Sequence, residues 1–207
     1  MISSTQSHER YALSFTSGGL LVREADVIVS QYLRVRDWAT VRQAATEQNL
    51  LQARTISSIV RVTRETIQRM CVLEDAELEL FAESSLTERC HLMWAAACRR
   101  YHLIGDFAEE VVRERFLLMT PTLGLEDFER FMTRKSLWHT ELDELKLSTR
   151  AKLRQNAFRM LHEAGLLSEQ GDIIPAVFSG RIHKTLAART PSDIRFFPTT
   201  LPIEVQR

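Results

Sequence analysis

Residues 147–155 read LSTRAKLRQ, and residues 164–174 read AGLLSEQGDII. The first run has the composition of a basic amphipathic helix, and Ser148 or Thr149 is its predicted N-cap. Gly165 is the residue type that ends helices, and the polar turn before Asp172 separates two apolar pairs that can form a short β-hairpin. A basic helix followed by a hairpin is how a winged helix-turn-helix presents its recognition helix and wing to DNA. This stretch therefore predicts a nucleic-acid-binding element.

A helical wheel of residues 148–164 separates an apolar side from a polar side. The apolar side holds Leu153, Ala157, Met160, Leu161 and Ala164. The opposite side holds Lys152, Gln155, Arg159 and His162, with Arg150 and Arg154 near its boundary. An ordinary amphipathic surface helix has the same division, but here four cations, a cap and a wing-like turn coincide. The predicted DNA contacts of this helix are Arg150, Lys152, Arg154, Gln155 and Arg159.

The N-terminal part contains a second pair of helices with similar spacing. Asp37 is the predicted cap of a helix that ends near Asn49, and a further helix begins around residues 54–58 and runs to about Leu73. This is helix-turn-helix spacing, although any two consecutive helices of a bundle can have it. The predicted inner face of the later helix is Ile56, Ile59, Val60, Thr63, Ile67 and Met70. Its predicted DNA contacts are Arg54, Arg61, Arg64 and Gln68.

Charge is segregated along the chain although the net charge is zero. Residues 1–70 contain nine basic and six acidic residues. Residues 71–147 contain nine basic and sixteen acidic residues, and residues 148–207 contain nine basic and five acidic residues. We predict an N-terminal helical region over residues 1–73, an acidic helical bundle over 74–147, and a winged-helix-like region with an extended tail over 148–207, together forming one compact unit. Within the bundle, residues 125–131 and 136–147 are the last two predicted helices, and residues 1–13 are expected to be loose.

Composition favours an all-α, multi-helix globular bundle. The chain has 207 residues, 44% of them hydrophobic, with only seven glycines and five prolines. Three cysteines without CxxC spacing fit a reducing cytosol. The start of the chain lacks the apolar core of a signal peptide, and no apolar run approaches the roughly 20 residues that span a bilayer. We therefore expect a cytoplasmic protein that does not enter the membrane.

Metal and catalytic sites find little support in the sequence. Cys90, Cys98 and His102 fall on one side of a predicted helix, but no fourth ligand accompanies them, and cysteines of this kind are usually part of the core. Gly18 and Gly19 lack the sequence context of a phosphate-binding loop. No metalloprotease, serine-hydrolase or nuclease motif is present. We expect no enzyme activity, no cofactor, no metal and no small-molecule substrate.

Several runs of the sequence resemble the BrxA family, the small core proteins of bacteriophage exclusion (BREX) systems. They are Ser14–Leu21, Asp37–Trp38, Gln48–Gln52, Tyr101–Ile104 with Asp106–Ala108, and Ser148–Arg150 with Lys152–Gln155. The resemblance extends from about Tyr11 to Pro198. It implies an all-helical, non-enzymatic protein with helix-turn-helix elements that binds double-stranded DNA beside other BREX proteins, including a methyltransferase and an ATPase. A likeness to the RNA-binding antitermination factor NusB has been attached to the same family, and related sequences have been labelled inner-membrane proteins, which the hydropathy here contradicts.

We therefore predict a non-enzymatic accessory protein of BREX type that binds double-stranded DNA. Two alternatives stay open. The acidic middle could serve as an adaptor that docks a basic protein of the defence complex, or the basic helices could bind RNA as an antitermination-like module.

Overall fold

The computed structural model describes residues 10–15 and 18–200, and in these residues the chain is mostly helical and has no β-strand. This confirms the predicted all-α class. The helices are α1 (Val22–Val35), α2 (Trp38–Glu47), α3 (Ile56–Met70), α4 (Asp75–Ala82), α5 (Leu86–Arg100), α6 (His102–Phe107), a π-helical turn (Ala108–Arg113), α7 (Glu114–Leu117), α8 (Leu125–Ser136), α9 (Thr140–Asp143), α10 (Leu147–Glu163), α11 (Gly180–Ala187) and a 3-10 helix (Asp193–Phe196).

Helices α1, α2 and α3 pack on one another at the N-terminal end of the fold. The Asp37 carboxylate caps α2 by accepting a 2.7 Å hydrogen bond from the Thr40 amide, as the sequence predicts. Asn49 has a left-handed backbone with φ of 47°, which ends the helix where expected. The Thr55 hydroxyl then caps α3. The three helices share a small buried cluster of Ile28, Val41, Ala45 and Ile67.

The predicted inner face of α3 is partly wrong. Ile59, Thr63, Ile67 and Met70 are buried, but Ile56 is 81% exposed and Val60 is 46% exposed. Glu65, Thr66 and Arg69 are buried instead, and each has a hydrogen-bond partner. The Thr66 hydroxyl donates to the Val62 carbonyl, Arg69 donates to Glu65 and to the Gly19 carbonyl, and the Tyr101 hydroxyl donates to Glu65. The buried face of α3 therefore includes polar residues, and hydrophobic periodicity does not predict them.

Helix α5 forms the centre of the main core. All residues from His91 to Cys98 are buried, and the Trp94 indole donates a 2.8 Å hydrogen bond to the carbonyl of Phe196. Residues from Tyr11 to Phe197 belong to the same buried cluster, so the N-terminal, middle and C-terminal parts of the described chain share one core.

Helices α6, α8 and α10 are joined by an aromatic cluster. Phe107 lies 5.0 Å from Phe128, 5.3 Å from Phe131 and 6.3 Å from Phe158, measured between ring centroids. Helix α10 begins at Leu147, and its N-cap is Lys146, whose side chain makes no capping bond. The predicted cap at Ser148 or Thr149 is therefore wrong, because both residues already lie inside the first turn.

A short hairpin follows α10, although it does not reach the length of two strands. Gly165 ends the helix with φ of 71°, and Gly171 turns the chain with φ of 87°. The Ser168 amide donates to the Asp172 carbonyl at 2.8 Å, and the Ile174 amide donates to the Leu166 carbonyl at 2.9 Å. Residues 121–123 lie alongside, because the Leu123 amide donates to the Gly171 carbonyl at 2.8 Å.

An N-terminal strap, which we define as residues 10–15 and 18–21, crosses the molecule between α3 and α10. The Tyr11 amide donates to Glu141 Oε1 at 2.8 Å, and Asn156 Nδ2 donates to the Phe15 carbonyl at 2.9 Å. Tyr11 is only 9% exposed. The expectation of a loose start is therefore wrong for residues 10–13, and residues 1–9 lie outside the described part of the chain.

Candidate nucleic-acid interface

The outer face of α10 is polar and exposed, as the helical wheel predicts. Lys152, Gln155 and Arg159 are exposed, whereas the apolar positions of the wheel are buried. Lys152 Nζ donates a 3.0 Å hydrogen bond to Gln155 Oε1, so these two side chains lie against each other. Because neither is paired with an acid in the described residues, both can turn outward to a ligand at small cost.

Arg150 and Arg154 are placed differently from the other cations of α10. Arg150 Nε lies 2.6 Å from Glu129 Oε2, and a guanidinium nitrogen of Arg154 lies 2.6 Å from Glu129 Oε1. Their side chains are 23% and 29% exposed, against 59% for Arg159. The structure thus directs these two predicted contact residues toward α8, and only Arg154 also borders the groove along α10.

The predicted contact residues of the N-terminal pair lie on the outside of α3 and just before it. Arg54, Arg61 and Arg64 are exposed and form no ion pair within residues 10–15 and 18–200, and Gln68 is half-buried. Their guanidinium groups are therefore available to an anion. Arg is well suited to this, since its planar group can donate two parallel hydrogen bonds to one phosphate.

Both basic helices border one cleft. Arg61 of α3 and Arg159 of α10 both line it, together with Gly18, Gly19 and Arg23 of the segment that enters α1. Arg159 also lines the groove that runs along α10 past Lys152 and Gln155. We call these two surfaces the inter-helix cleft and the α10 groove. They are continuous through Arg159, so the basic residues of α3 and α10 border one surface.

Glu163 controls the geometry where the two surfaces join. One of its carboxylate oxygens accepts from Arg159 Nε at 2.7 Å, and the other accepts from the amide of Leu20 in the strap. A Cβ placed on Gly19 would lie 2.1 Å from this carboxylate, so a larger residue there would require the Glu163 side chain to shift. Arg159 is consequently held by a carboxylate that also binds the strap, and it is this second contact that helical spacing could not reveal.

A buried polar network joins α3 to the strap beside the inter-helix cleft. Arg69 is fully buried, and its guanidinium donates to Glu65 Oε1 at 2.9 Å and to the carbonyl of Gly19 at 2.7 Å. The Tyr101 hydroxyl donates to the same Glu65 oxygen at 2.6 Å. Burial, together with this bond to a carboxylate, raises the pKa of Tyr101 to about 12. The network fixes the strap against α3, because moving the strap away would leave the buried Arg69 guanidinium without the Gly19 carbonyl that it binds.

The hairpin contributes no cation to this surface. Residues 166–174 contain two acids, Glu169 and Asp172, and no Lys or Arg, and Glu169 borders the α10 groove. A wing with this composition is unsuited to phosphate contact. Its observed role is structural, since its backbone hydrogen bonds join the end of α10 to residues 121–123.

Three residues of the candidate interface escaped the sequence-based prediction. Arg23 lines the inter-helix cleft, and Glu129 and Glu163 hold three of the predicted cations. The contacts of Glu129 with α10 and the place of Arg23 in the cleft depend on elements far apart in sequence, whereas the i,i+4 spacing of Arg159 and Glu163 is a local signal for their ion pair. The lone glycine pair at Gly18 and Gly19 was a usable signal for a close approach.

Other kinds of site are not seen in the described residues. Within residues 10–15 and 18–200, no three His, Cys, Asp or Glu side chains are grouped so that they could hold a metal ion. Cys98 is buried, and burial raises the pKa of its thiol well above the ordinary value. In the same part of the chain, no helix combines the length and the apolar character needed to span a bilayer.

Comparisons with known proteins agree with this fold. The family model described as BrxA matches residues 9–190. A BREX protein BrxA of Escherichia coli O9:H4 (strain HS) is 28% identical over 148 residues, which cover 72% of this chain and 70% of the relative. A BREX protein BrxA of Paramagnetospirillum magneticum (strain AMB-1) is 23% identical over 160 residues, which cover 77% of this chain and 80% of the relative.

A solved structure is similar as well. It is the crystal structure of an uncharacterized protein from Magnetospirillum magneticum, which superposes with a TM-score of 0.72 at 23% sequence identity. The match covers 86% of this chain and 91% of that chain, so nearly the whole fold is shared.

Proposed function

The chain belongs to the BrxA family, and from that premise we propose that it binds double-stranded DNA, without catalysing a reaction, as an accessory protein of a BREX phage-defence system. The proposal rests chiefly on the inter-helix cleft, where Arg61 and Arg159 from two distant parts of the sequence border one surface. Phosphates are abundant anions that exposed guanidinium groups bind well. Family membership also makes other BREX proteins expected partners, and a DNA-binding role places the protein in the cytoplasm.

The order of elements in the C-terminal half supports a winged helix-turn-helix. Helices α6 and α7, the segment 121–123, α8, the short α9, α10 and the two sides of the hairpin follow one another in that order. In such an arrangement α10 is the helix that enters the major groove. Lys152 and Arg159 are seven residues apart, or about 10 Å along the helix at 1.5 Å per residue. The major groove is about 12 Å wide, so both cations can reach phosphates beside it.

The α2–α3 pair supplies a second, similar element. Arg61 and Arg64 face outward from α3, and Arg54 precedes it. These cations would bind phosphates and fix the register of the protein on the duplex, whereas sequence reading needs donors aimed at base edges. Gln155 is the best placed residue for that task, because its amide can contact adenine once Lys152 turns to a phosphate.

The test is a titration of a short DNA duplex at several salt concentrations with the variant Arg61→Ala/Arg159→Ala. Each lost phosphate contact should reduce the slope of log K against log salt by about 0.9, so the double variant should lose about 1.8. The ratio of the wild-type binding constant to that of the double variant should therefore be roughly tenfold smaller at 200 mM salt than at 50 mM salt. Each single variant should account for half of this change on the same duplex.

The matched control is Arg34→Ala/Lys184→Ala, which removes two exposed cations that border neither surface. It should leave the slope almost unchanged. Equal slopes for the two double variants would refute the proposed surface. Single-stranded DNA and structured RNA are added as competitors in the same titration. If RNA displaces the protein from the duplex more strongly than duplex DNA does, RNA becomes the assigned ligand.

A further inference from the structure

Glu129 of α8 occupies an unusual position, since one carboxylate holds two of the cations of α10. Its two oxygens accept from Arg150 and Arg154, each at 2.6 Å. Arg150 is held further by the Glu129 carbonyl at 3.0 Å and by the Thr133 hydroxyl at 3.1 Å. Three acceptors on α8 therefore fix the Arg150 guanidinium, and Arg154 is fixed by one.

The exposure of these groups shows what the arrangement does to the surface. Glu129 is 34% exposed, so the pairs are in contact with solvent and can open. While they are closed, Arg150 lies away from the α10 groove, and Arg154, which borders the groove, has one guanidinium nitrogen bonded to Glu129. The exposed cations Lys152 and Arg159 remain directed outward. The helix thus has two well exposed cations, of which Arg159 is bonded to Glu163, and two less exposed cations that Glu129 directs toward α8.

We propose that Glu129 is a positioning residue that limits the non-specific affinity of α10 for DNA by withholding Arg150 and Arg154 from phosphates. This inference rests on the proposed function. Non-specific binding depends on the number of phosphates that the protein neutralises, and it carries no sequence information. Holding back two cations lowers this contribution and leaves discrimination to groups such as Gln155, which faces the groove.

The test compares Glu129→Gln with wild-type protein on a duplex of arbitrary sequence. If the two released arginines each gain a phosphate, the salt slope should steepen by about 1.8. At low salt the Glu129→Gln variant should bind the duplex more tightly than wild type does. The ratio of the variant binding constant to the wild-type one should be roughly tenfold smaller at 200 mM salt than at 50 mM salt. Glu126→Gln is the control, because Glu126 is exposed on the same helix, is unpaired within residues 10–15 and 18–200, and loses the same charge. It should change the slope little.

Two further variants separate positioning from a purely structural role. Glu129→Asp keeps the carboxylate and should restore most of the wild-type slope. Glu129→Gln combined with Arg150→Ala and Arg154→Ala should return the slope to the wild-type value, since the released cations are gone. Thermal unfolding of each variant identifies those that fold.

The outcomes distinguish this inference from the proposal beneath it. A folded Glu129→Gln protein that binds as wild type does, or more weakly, overturns the role of Glu129 while DNA binding stands. A wild-type chain that shows no salt-dependent binding to duplex DNA overturns the proposed function itself. A slope that steepens equally in the Glu126→Gln control attributes the effect to net charge and also overturns the inference.

Discussion

At the scale of single residues, the Glu129 carboxylate of α8 sets the direction of two cations of α10. The helical wheel places Lys152, Gln155 and Arg159 on the outer side of α10, and the structure confirms it. Arg150 and Arg154 fall near the boundary of the same wheel, where a long side chain can turn either way. Glu129 decides their direction, and it is 21 residues from Arg150 in sequence. A wheel has no information about such a partner.

Tyr101 gives a prediction about alkaline pH. Its pKa is raised to about 12 in the folded chain, against about 10 in an unfolded one. Its contribution to stability is therefore complete below pH 10 and is lost as pH rises through 12, because deprotonation then favours the unfolded state. Wild-type protein should lose roughly 2 to 3 kcal/mol more than Tyr101→Phe over this interval, at 1.36 kcal/mol per pKa unit.

Urea unfolding of both proteins at pH 9, 10, 11 and 12 would measure the difference. The pKa of Tyr11 is also raised, but this residue is present in both chains, so its effect cancels. Parallel loss of stability in the two proteins would show that the Tyr101–Glu65 hydrogen bond does not govern the alkaline response.

At the scale of elements, periodicity located most helices and failed where a distant segment intervened. A single helix over residues 136–147 is predicted, but the structure ends α8 at Ser136 and leaves only the short α9 over Thr140–Asp143. The strap explains the break. The Tyr11 ring lies 4.0 Å from that of His139, and its amide bonds to Glu141, so this segment is shaped to receive Tyr11.

Two glycines of the hairpin after α10 provide a prediction in which each variant serves as the comparison for the other. Gly171 has φ of 87°, and an added Cβ would lie 3.1 Å from the Leu123 carbonyl oxygen. Gly165 has φ of 71°, with no atom within 4 Å of an added Cβ. Gly165→Ala should cost about 1 to 2 kcal/mol from backbone strain alone, and Gly171→Ala should cost more, because it also separates residues 121–123 from the turn.

Chemical denaturation of the two variants measures these costs directly. The larger loss should occur with Gly171→Ala. If Gly165→Ala were equally damaging, the close approach of the hairpin to residues 121–123 would have no energetic importance.

At the scale of the whole molecule, the sequence showed three charge regions, and the structure shows how they are joined. The two basic regions come together at the inter-helix cleft instead of lying at opposite ends. Charge counting predicted that two basic regions exist. It could not predict that they meet, because the meeting depends on the strap and on Arg69, a cation that burial and pairing remove from the surface altogether.

Arg69 gives the prediction at this scale, because it joins α3 to the strap. Arg69→Met leaves Glu65 buried without its cation, which should destabilise the chain by about 3 to 5 kcal/mol. Arg64→Met on the exposed face of the same helix is the control and should stay within about 0.5 kcal/mol of wild type. Urea unfolding compares the two. A small loss for Arg69→Met would mean that the strap is held chiefly by its apolar residues.

The strap also has a consequence for how the protein is made. Leu20 and its partner Glu163 are 143 residues apart, and Phe15 and Asn156 are 141 apart. Translation at about 5 to 20 residues per second separates their emergence from the ribosome by roughly 7 to 30 s. During that interval the first-made segment has its Arg69 contacts within reach but lacks α10. The last long helix to be synthesised thus completes the burial of one of the earliest segments, and a pause in translation before α10 prolongs the exposure of Phe15.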